Sequence, residues 1–292
     1  MWVFVLFLIF HMSLLITGAY GMLASEIKKN ESLFHTEILY ADRDTLDITD
    51  KSQIFAFFNT HKLSCIINCA AYTNVDEAEG NGKQLNFDIN ARWPYLLAKY
   101  AHQQWINFIT ISTDYVFDGI QEMGYLVDDK VNPLNSYGLA KALGEKLVRD
   151  AHPDAIIVRT SWLYGWWPDV KNFVNTMIRL SRERKELSVI SDQYGNPTSA
   201  GDLAQALALV FSTINQYRWN ILHLTNTTDG HGVSRYDFAC EIFRLIGSDI
   251  VCHPIPSDQY PTKAKRPQWS KLINESGVMM KEWKEALGEY VI

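Results

Sequence analysis

Short apolar runs alternate with segments of helical period along the first half of the chain, and this alternation restricts the fold more than any other feature. The runs are Ser13 to Thr17, Ile38-Leu39, Ile66-Ile67, Phe108 to Ile111 and Ile156 to Val158. Between them, Ser52 to Phe58, Ala91 to Gln103 and Leu139 to Ala151 repeat their apolar residues at the spacing of a helix face. Strand, helix, strand in succession predicts an α/β protein with a parallel, doubly wound sheet. Right-handed crossovers then place helices on both faces.

The turn after the first run narrows this further. Gly18-Ala19-Tyr20-Gly21-Met22-Leu23-Ala24 follows Leu14 to Thr17 and leads into a helical pattern at Met22, Leu23 and Ile27. Strand, glycine turn, helix is how a dinucleotide fold begins its phosphate site. Gly18 permits the tight turn, Gly21 lets backbone approach a pyrophosphate at the helix N-terminus, and Ala24 is small enough for close helix–strand packing. The second strand, Glu37 to Ala41, ends at Asp42, where an acidic residue meets an adenosine ribose. Arg43 follows at once and could accept a 2′-phosphate instead. An ordinary βα turn and a solvated loop are the plainer readings of these two stretches.

Reaction chemistry concentrates further along. Thr113 closes the run Phe108 to Ile111, so its hydroxyl sits at the carboxyl end of a strand, where open α/β sheets hold their ligands. Tyr137 and Lys141 are four apart on a helical segment and project from one face. An ammonium beside a phenol favours the phenolate, so Lys141 is expected to lower the Tyr137 pKa and make it an acid or base near neutrality. Spacing alone is not diagnostic: Tyr95 and Lys99 repeat it where only an amphipathic turn is read.

Composition excludes some classes. A formal charge of −6 without a basic tract argues against a nucleic-acid partner. It leaves room for an anionic small molecule, for which Lys263, Lys265 and Arg266 form a local positive cluster. Four cysteines in 292 residues are no disulfide framework, and Cys65 and Cys69 read as small core residues. Eight histidines show no metal-ligand spacing, so no metal site is expected. Trp2 to Phe10 is unbroken apolar, too short to span a bilayer and without a basic leader or small-residue cleavage site. Residues 1–11 are therefore read as an extension outside the fold, with Met12 as the expected start and a weak membrane anchor as the minority reading.

Several segments in fixed order carry a resemblance: Asn68-Cys69-Ala70-Ala71-Tyr72-Thr73-Asn74-Val75-Asp76, Ser112-Thr113-Asp114-Tyr115-Val116-Phe117-Asp118-Gly119, Asn132 to Gly138, Arg159 to Gly165 and Asp192-Gln193-Tyr194-Gly195-Asn196-Pro197-Thr198. Together with Tyr260-Pro261-Thr262 and Arg266-Pro267, they resemble the dTDP-4-dehydrorhamnose reductase family of extended short-chain dehydrogenase/reductases, over nearly everything from Met12 onward. The resemblance implies a Rossmann domain at 12–160, rejoined by part of 200–225. It implies a smaller, discontinuous substrate region at 161–199 and 226–292. It implies reduction of the C4 ketone of dTDP-4-dehydro-L-rhamnose in the cytoplasm, with NADPH or NADH as cofactor, a nucleotide sugar as partner and no membrane partner. A homodimer is left open.

Residue roles follow from the same likeness. Tyr137 would protonate the alkoxide, Lys141 would support it and hold the nicotinamide ribose, and Thr113 would bond the ketone oxygen. Asp114 would contact the sugar and Trp162 would wall its site. Gly18, Gly21, Met22, Leu23, Asp42, Arg43, Asp47, Ile48, Ala71, Tyr72 and Thr73 would meet the cofactor. Some family members bind magnesium through several glutamates at a dimer interface. Glu26 matches only one of these, so the metal is not carried over.

Two other classes stand beside this reading. A nucleotide-sugar dehydratase of the same fold would carry Asp-Glu after the threonine, where this chain has Asp114-Tyr115. A non-catalytic regulatory subunit resembling the methionine adenosyltransferase β subunit would share the fold and several motifs. The Arg159 to Trp162 tetrad is closer to the reductases.

Overall fold

The computed structural model describes residues 12–48, 50–166 and 172–291. The apolar extension, residues 1–11, lies outside the described residues. Five strands, β1 Ser13–Thr17, β2 Ile38–Ala41, β3 Leu63–Asn68, β4 Asn107–Thr113 and β5 Ile156–Thr160, coincide with the apolar runs. Between them lie α1 Met22–Lys29, α2 Lys51–Thr60, α3 Lys83–Phe87, α4 Trp93–Gln103 and α5 Ser136–Ala151. The chain continues through β6 Leu163–Tyr164, α6 Phe173–Glu183, β7 Glu186–Ile190, β8 Tyr194–Gly195, β9 Thr198–Ser199 and α7 Ala200–Ser212. It closes with β10 Ile221–His223, β11 Val233–Ser234, α8 Arg235–Leu245, β12 Val251–Ile255 and α9 Trp283–Val291.

The main sheet has six strands in the order β10-β5-β4-β3-β1-β2, and every pairing is parallel. Apolar residues divide by parity, as a period of two requires. Leu14 and Ile16 pack with Leu23 and Ile27 of α1 and Leu203 and Leu207 of α7. Leu15 packs on the other face with Ile54 and Phe58 of α2 and Leu97 of α4. Both faces of the strands are thus covered, which is why they read as continuous apolar runs rather than alternating ones. Leu15 is wholly buried, and truncating such a residue to alanine costs about 2–5 kcal/mol. β1 has β2 on one side and β3 on the other, so the crevice at its carboxyl end is a topological switch point.

The C-terminal segments build a separate apolar cluster from Val174 and Met177 of α6, Phe238 and Ile242 of α8, and Trp283 and Leu287 of α9. No helix among the described residues is long and apolar enough to cross a membrane.

One departure from the sequence expectation matters for the site. The predicted helix Ala91 to Gln103 begins earlier, at Lys83, and passes through a π turn at Asp88–Arg92 before α4. That turn carries Asn90 inward. Its side chain accepts from Tyr72 N–H at 3.1 Å and donates to the Tyr72 carbonyl at 2.9 Å. A wide turn inside a helix is how a chain re-aims one side chain, here onto the loop that follows β3.

Candidate active site

The crevice at the end of β1 is shaped by glycine. Gly18 has φ +72°, and a Cβ there would stand 2.8 Å from the Ala70 backbone nitrogen, so neither the conformation nor the space admits a side chain. Gly21 N-caps α1 without a side-chain acceptor, and the first turn holds no acidic residue. The first N–H groups of α1 therefore lack a side-chain acceptor and can receive an anion.

Opposite this turn, β4 ends at Thr113 and a single 3-10 turn, Asp114–Val116, follows. The Thr113 hydroxyl donates to Asp114 Oδ1 at 3.0 Å and accepts from Tyr115 N–H at 3.2 Å. Helix α5 starts beside it. Asn135 caps that helix by accepting from Gly138 N–H at 2.8 Å, and Ser136 N–H donates to Glu79 at 2.7 Å. These bonds fix the first turn of α5, and with it Tyr137, against the end of β4. The Tyr137 hydroxyl faces Thr113 across the cavity wall. One turn on, Lys141 is buried and donates to the Ile111 carbonyl at 2.6 Å.

The electrostatics differ from the sequence expectation. Burial pushes the Tyr137 phenol above its ordinary pKa, with Thr113 opposing, and Lys141 has no resolved part in the shift. Lys141 itself is lowered to about 8 by burial, with the Glu145 carboxylate opposing. Proximity was expected to make Tyr137 more acidic; desolvation instead holds it protonated. For a proton donor that is the useful state. Burial likewise pushes Asp114 up to about 6, with bonds from Ser270 and Thr113 opposing.

A cavity of about 530 Å³ joins the two sides. Gly21, Met22, Leu23, Ala71 and Thr73 line the side next to the glycine turn, and Thr113, Asp114, Tyr137, Lys141 and Trp162 line the other. The remaining expected residues lie outside its wall. Gly18 sits behind it against Ala70. Tyr72 is held by its backbone on Asn90, and its ring packs over Gly82. Ile48 packs against the core under α2. Asp42 ends β2 and folds into its own turn, accepting from Asp44 N–H at 3.0 Å and Thr45 N–H at 2.8 Å. The Thr45 hydroxyl, chiefly, holds its carboxyl below the usual range. Arg43 is exposed and lies 3.9 Å from Asp47. In the positive cluster, Arg266 is not free: it forks onto Asp76 at 2.7 and 3.2 Å.

Trp162, expected at the sugar site, has φ +45°, a strained backbone for an indole, and residues that sequence reasoning did not single out complete the site around it. A Cβ at Gly195 would stand 2.7 Å from that indole, and the Arg235 guanidinium covers the ring at 4.1 Å. Behind Lys141, the buried Arg159 forks onto Glu145 at 2.8 and 2.9 Å, and Ser112 donates to the same carboxylate at 2.5 Å. Cys69, read as core, reaches the cavity wall, with its thiol pushed up to about 12 by burial. For Arg235 the one available signal was its place directly after Ser234, the N-cap of α8.

Comparison with known proteins identifies the family. The family model described as RmlD substrate binding domain matches residues 12–292. A dTDP-4-dehydrorhamnose reductase from Aggregatibacter actinomycetemcomitans is 37% identical over 291 residues, covering 94% of this chain and 96% of the relative. A solved dTDP-4-dehydrorhamnose reductase from Clostridium acetobutylicum superposes with a TM-score of 0.89 at 42% identity, over 96% of this chain and 98% of the other. The Bacillus anthracis enzyme of that name, solved in complex with NADP, gives a TM-score of 0.89 at 34% identity with the same coverage. By its sequence and by its fold, the chain belongs to the RmlD family of extended short-chain dehydrogenase/reductases.

Proposed function

We propose that this protein reduces the C4 ketone of dTDP-4-dehydro-L-rhamnose to dTDP-L-rhamnose, in the cytoplasm, using NADPH or NADH. The observation that carries the reading is the meeting of Thr113, Tyr137 and Lys141 with an uncapped, glycine-framed helix N-terminus around one cavity. The glycine turn fits a dinucleotide. Its Cβ positions are closed, its N–H groups lack a side-chain acceptor, and Ala71 and Thr73 continue the same wall.

The nicotinamide supplies a hydride when bound. The protein's part is the other half of the reduction. As the ketone carbon gains hydride, its oxygen becomes an alkoxide. The Thr113 hydroxyl, by turning its single proton away from Asp114 Oδ1, can donate to that oxygen, where charge develops. Tyr137, kept protonated by burial, gives it a proton and is left as a phenolate. Lys141, one turn along the same helix, offsets that negative charge. Glu145 and Arg159 form a rigid, charge-balanced support under Lys141. Trp162, pressed onto Gly195, supplies an apolar face for the deoxysugar.

The test is NADPH and NADH oxidation, followed by absorbance, with dTDP-4-dehydrorhamnose present and with the sugar omitted. Sugar-dependent turnover is expected. Binding of either cofactor without any turnover would overturn the reductase reading and favour a non-catalytic subunit.

A further inference from the structure

We infer that Arg235 is the residue that reads the diphosphate of the substrate and fixes the sugar's register against Tyr137, an inference that rests on the nucleotide-sugar reading above. Two cavities meet at this side chain. One is the cavity of about 530 Å³ that holds Tyr137 and Lys141. The other, of about 800 Å³, lies between α6, β7 and the segment that carries Tyr260 and Arg266. Among the described residues Arg235 is the one wall residue they share.

Its surroundings hold it in place without neutralising it. The guanidinium lies over Trp162 at 4.1 Å, and the Phe173 ring is 5.7 Å away. Its Nε donates to the neutral Gln193 side chain at 3.2 Å. It forms no ion pair among the described residues. A half-buried guanidinium packed against aromatic rings, in the field of the Asp114 carboxyl but not paired with it, presents a planar fork of donors. That fork matches phosphate oxygens.

A second cation extends the site. Arg266 lines the larger cavity and is aimed by its fork onto Asp76. The Tyr115 hydroxyl faces both guanidiniums, and its ring meets Tyr137 edge-on at 5.8 Å. Beyond that arginine pair the larger cavity offers the apolar side chains Met177, Leu180 and Leu187, interspersed with Arg184, Glu186 and Ser188. A pyrimidine nucleoside suits that end, a diphosphate the arginine pair, and a deoxysugar the Trp162 side. Because Arg235 also stacks on Trp162, engaging the diphosphate fixes the indole that walls the sugar.

The experiment compares wild type with Arg235→Gln and Arg235→Lys in the full chain. Calorimetry measures binding of dTDP and of thymidine. Fluorescence measures NADPH binding, and turnover gives kcat and KM. In wild type, dTDP is expected to bind far more tightly than thymidine. Arg235→Gln should lose about 10- to 100-fold of that preference, the scale of charge-assisted hydrogen bonds, with thymidine and NADPH binding kept. Arg235→Lys should recover part of the dTDP affinity but not kcat, since the stack on Trp162 is lost. An unchanged dTDP-to-thymidine ratio in Arg235→Gln would overturn the inference, as would a wild type that binds the two alike. A wild type that prefers dTDP yet oxidises no NADPH would overturn the reductase reading alone. The binding ratio then still decides the role of Arg235.

Discussion

The Gly138 Cα faces the Tyr115 carbonyl so closely that a Cβ on it would lie 2.1 Å from that oxygen. The first turn of α5 and the turn after β4 are therefore in backbone contact, and Tyr137 and Thr113 owe their proximity to that contact. The obstructing atom is backbone and cannot swing aside.

Gly138→Ala is therefore expected to push α5 off the Asp114–Val116 turn. Overpacking of this kind costs about 1–3 kcal/mol. The displacement separates Tyr137 from Thr113, so kcat should fall by more than stability alone explains, by about 10²-fold. Thermal unfolding and turnover on the same sample check this. A variant with near-normal kcat would show that the contact does not set the geometry.

Tyr137→Phe removes the proton donor and keeps the ring. General acid catalysis is worth about 10²-fold or more, and kcat should drop by that factor while NADPH binding is kept. Normal turnover in this variant would rule out the role given to Tyr137.

Asp114 makes a prediction about pH. Its folded pKa of about 6 lies above the ordinary 3.8. A carboxyl with a raised pKa stabilises the fold below its unfolded pKa. That contribution is lost as pH climbs through the folded one. Asp114→Asn keeps an acceptor for Thr113 and removes the charge. The variant's stability relative to wild type should therefore rise between about pH 4 and pH 7, by about 3 kcal/mol for a shift of this size. Urea unfolding at several pH values measures it. Parallel curves would mean that Asp114 is not held away from water as its burial indicates.

What could be read in advance follows from the range of the interactions. Leu14, Leu15 and Ile16 declare a strand covered on both sides because each packs as its parity dictates, and parity is local. Tyr137 and Lys141 could be paired in advance because one helix turn places them on a common face, whereas Thr113 was joined to them by the family resemblance. Arg235 could not, because its partner Trp162 is brought to it by the folding of the C-terminal segments. Asn90 was hidden by a π turn that leaves no periodic signature. The direction of the Tyr137 shift was also out of reach: it depends on how much water the folded cavity admits, and the Tyr-Lys spacing carries only the opposing influence.

Asn90 can be tested by the loop it holds. Asn90→Ala removes both bonds to the Tyr72 backbone, and Ala71 and Thr73 beside it line the side of the cavity proposed for the cofactor. Unmade backbone bonds cost about 1–3 kcal/mol. NADPH affinity should weaken by about 10-fold, with KM for the sugar less affected. Equal losses for both ligands would point to general destabilisation rather than a loop that serves the cofactor.

On the proposed reading, cofactor choice turns on the residues just after β2. Asp42 is half-buried just past it and held in its own turn by Thr45, which keeps its carboxyl below the usual range, with the Tyr20 hydroxyl close by. A carboxylate in this position accepts from free ribose hydroxyls and repels a 2′-phosphate. Arg43 is next in the chain, exposed, and 3.9 Å from Asp47. An ion pair that long and that exposed is worth little, so Arg43 is free to turn toward a phosphate at small cost. Both NADH and NADPH are therefore expected to serve. Arg43→Ala should raise KM for NADPH by several-fold and leave KM for NADH nearly unchanged, whereas Asp42→Asn should favour NADPH. Steady-state kinetics with the two cofactors on each variant decide the matter. An equal effect of Arg43→Ala on both would show that its guanidinium does not reach the 2′-phosphate.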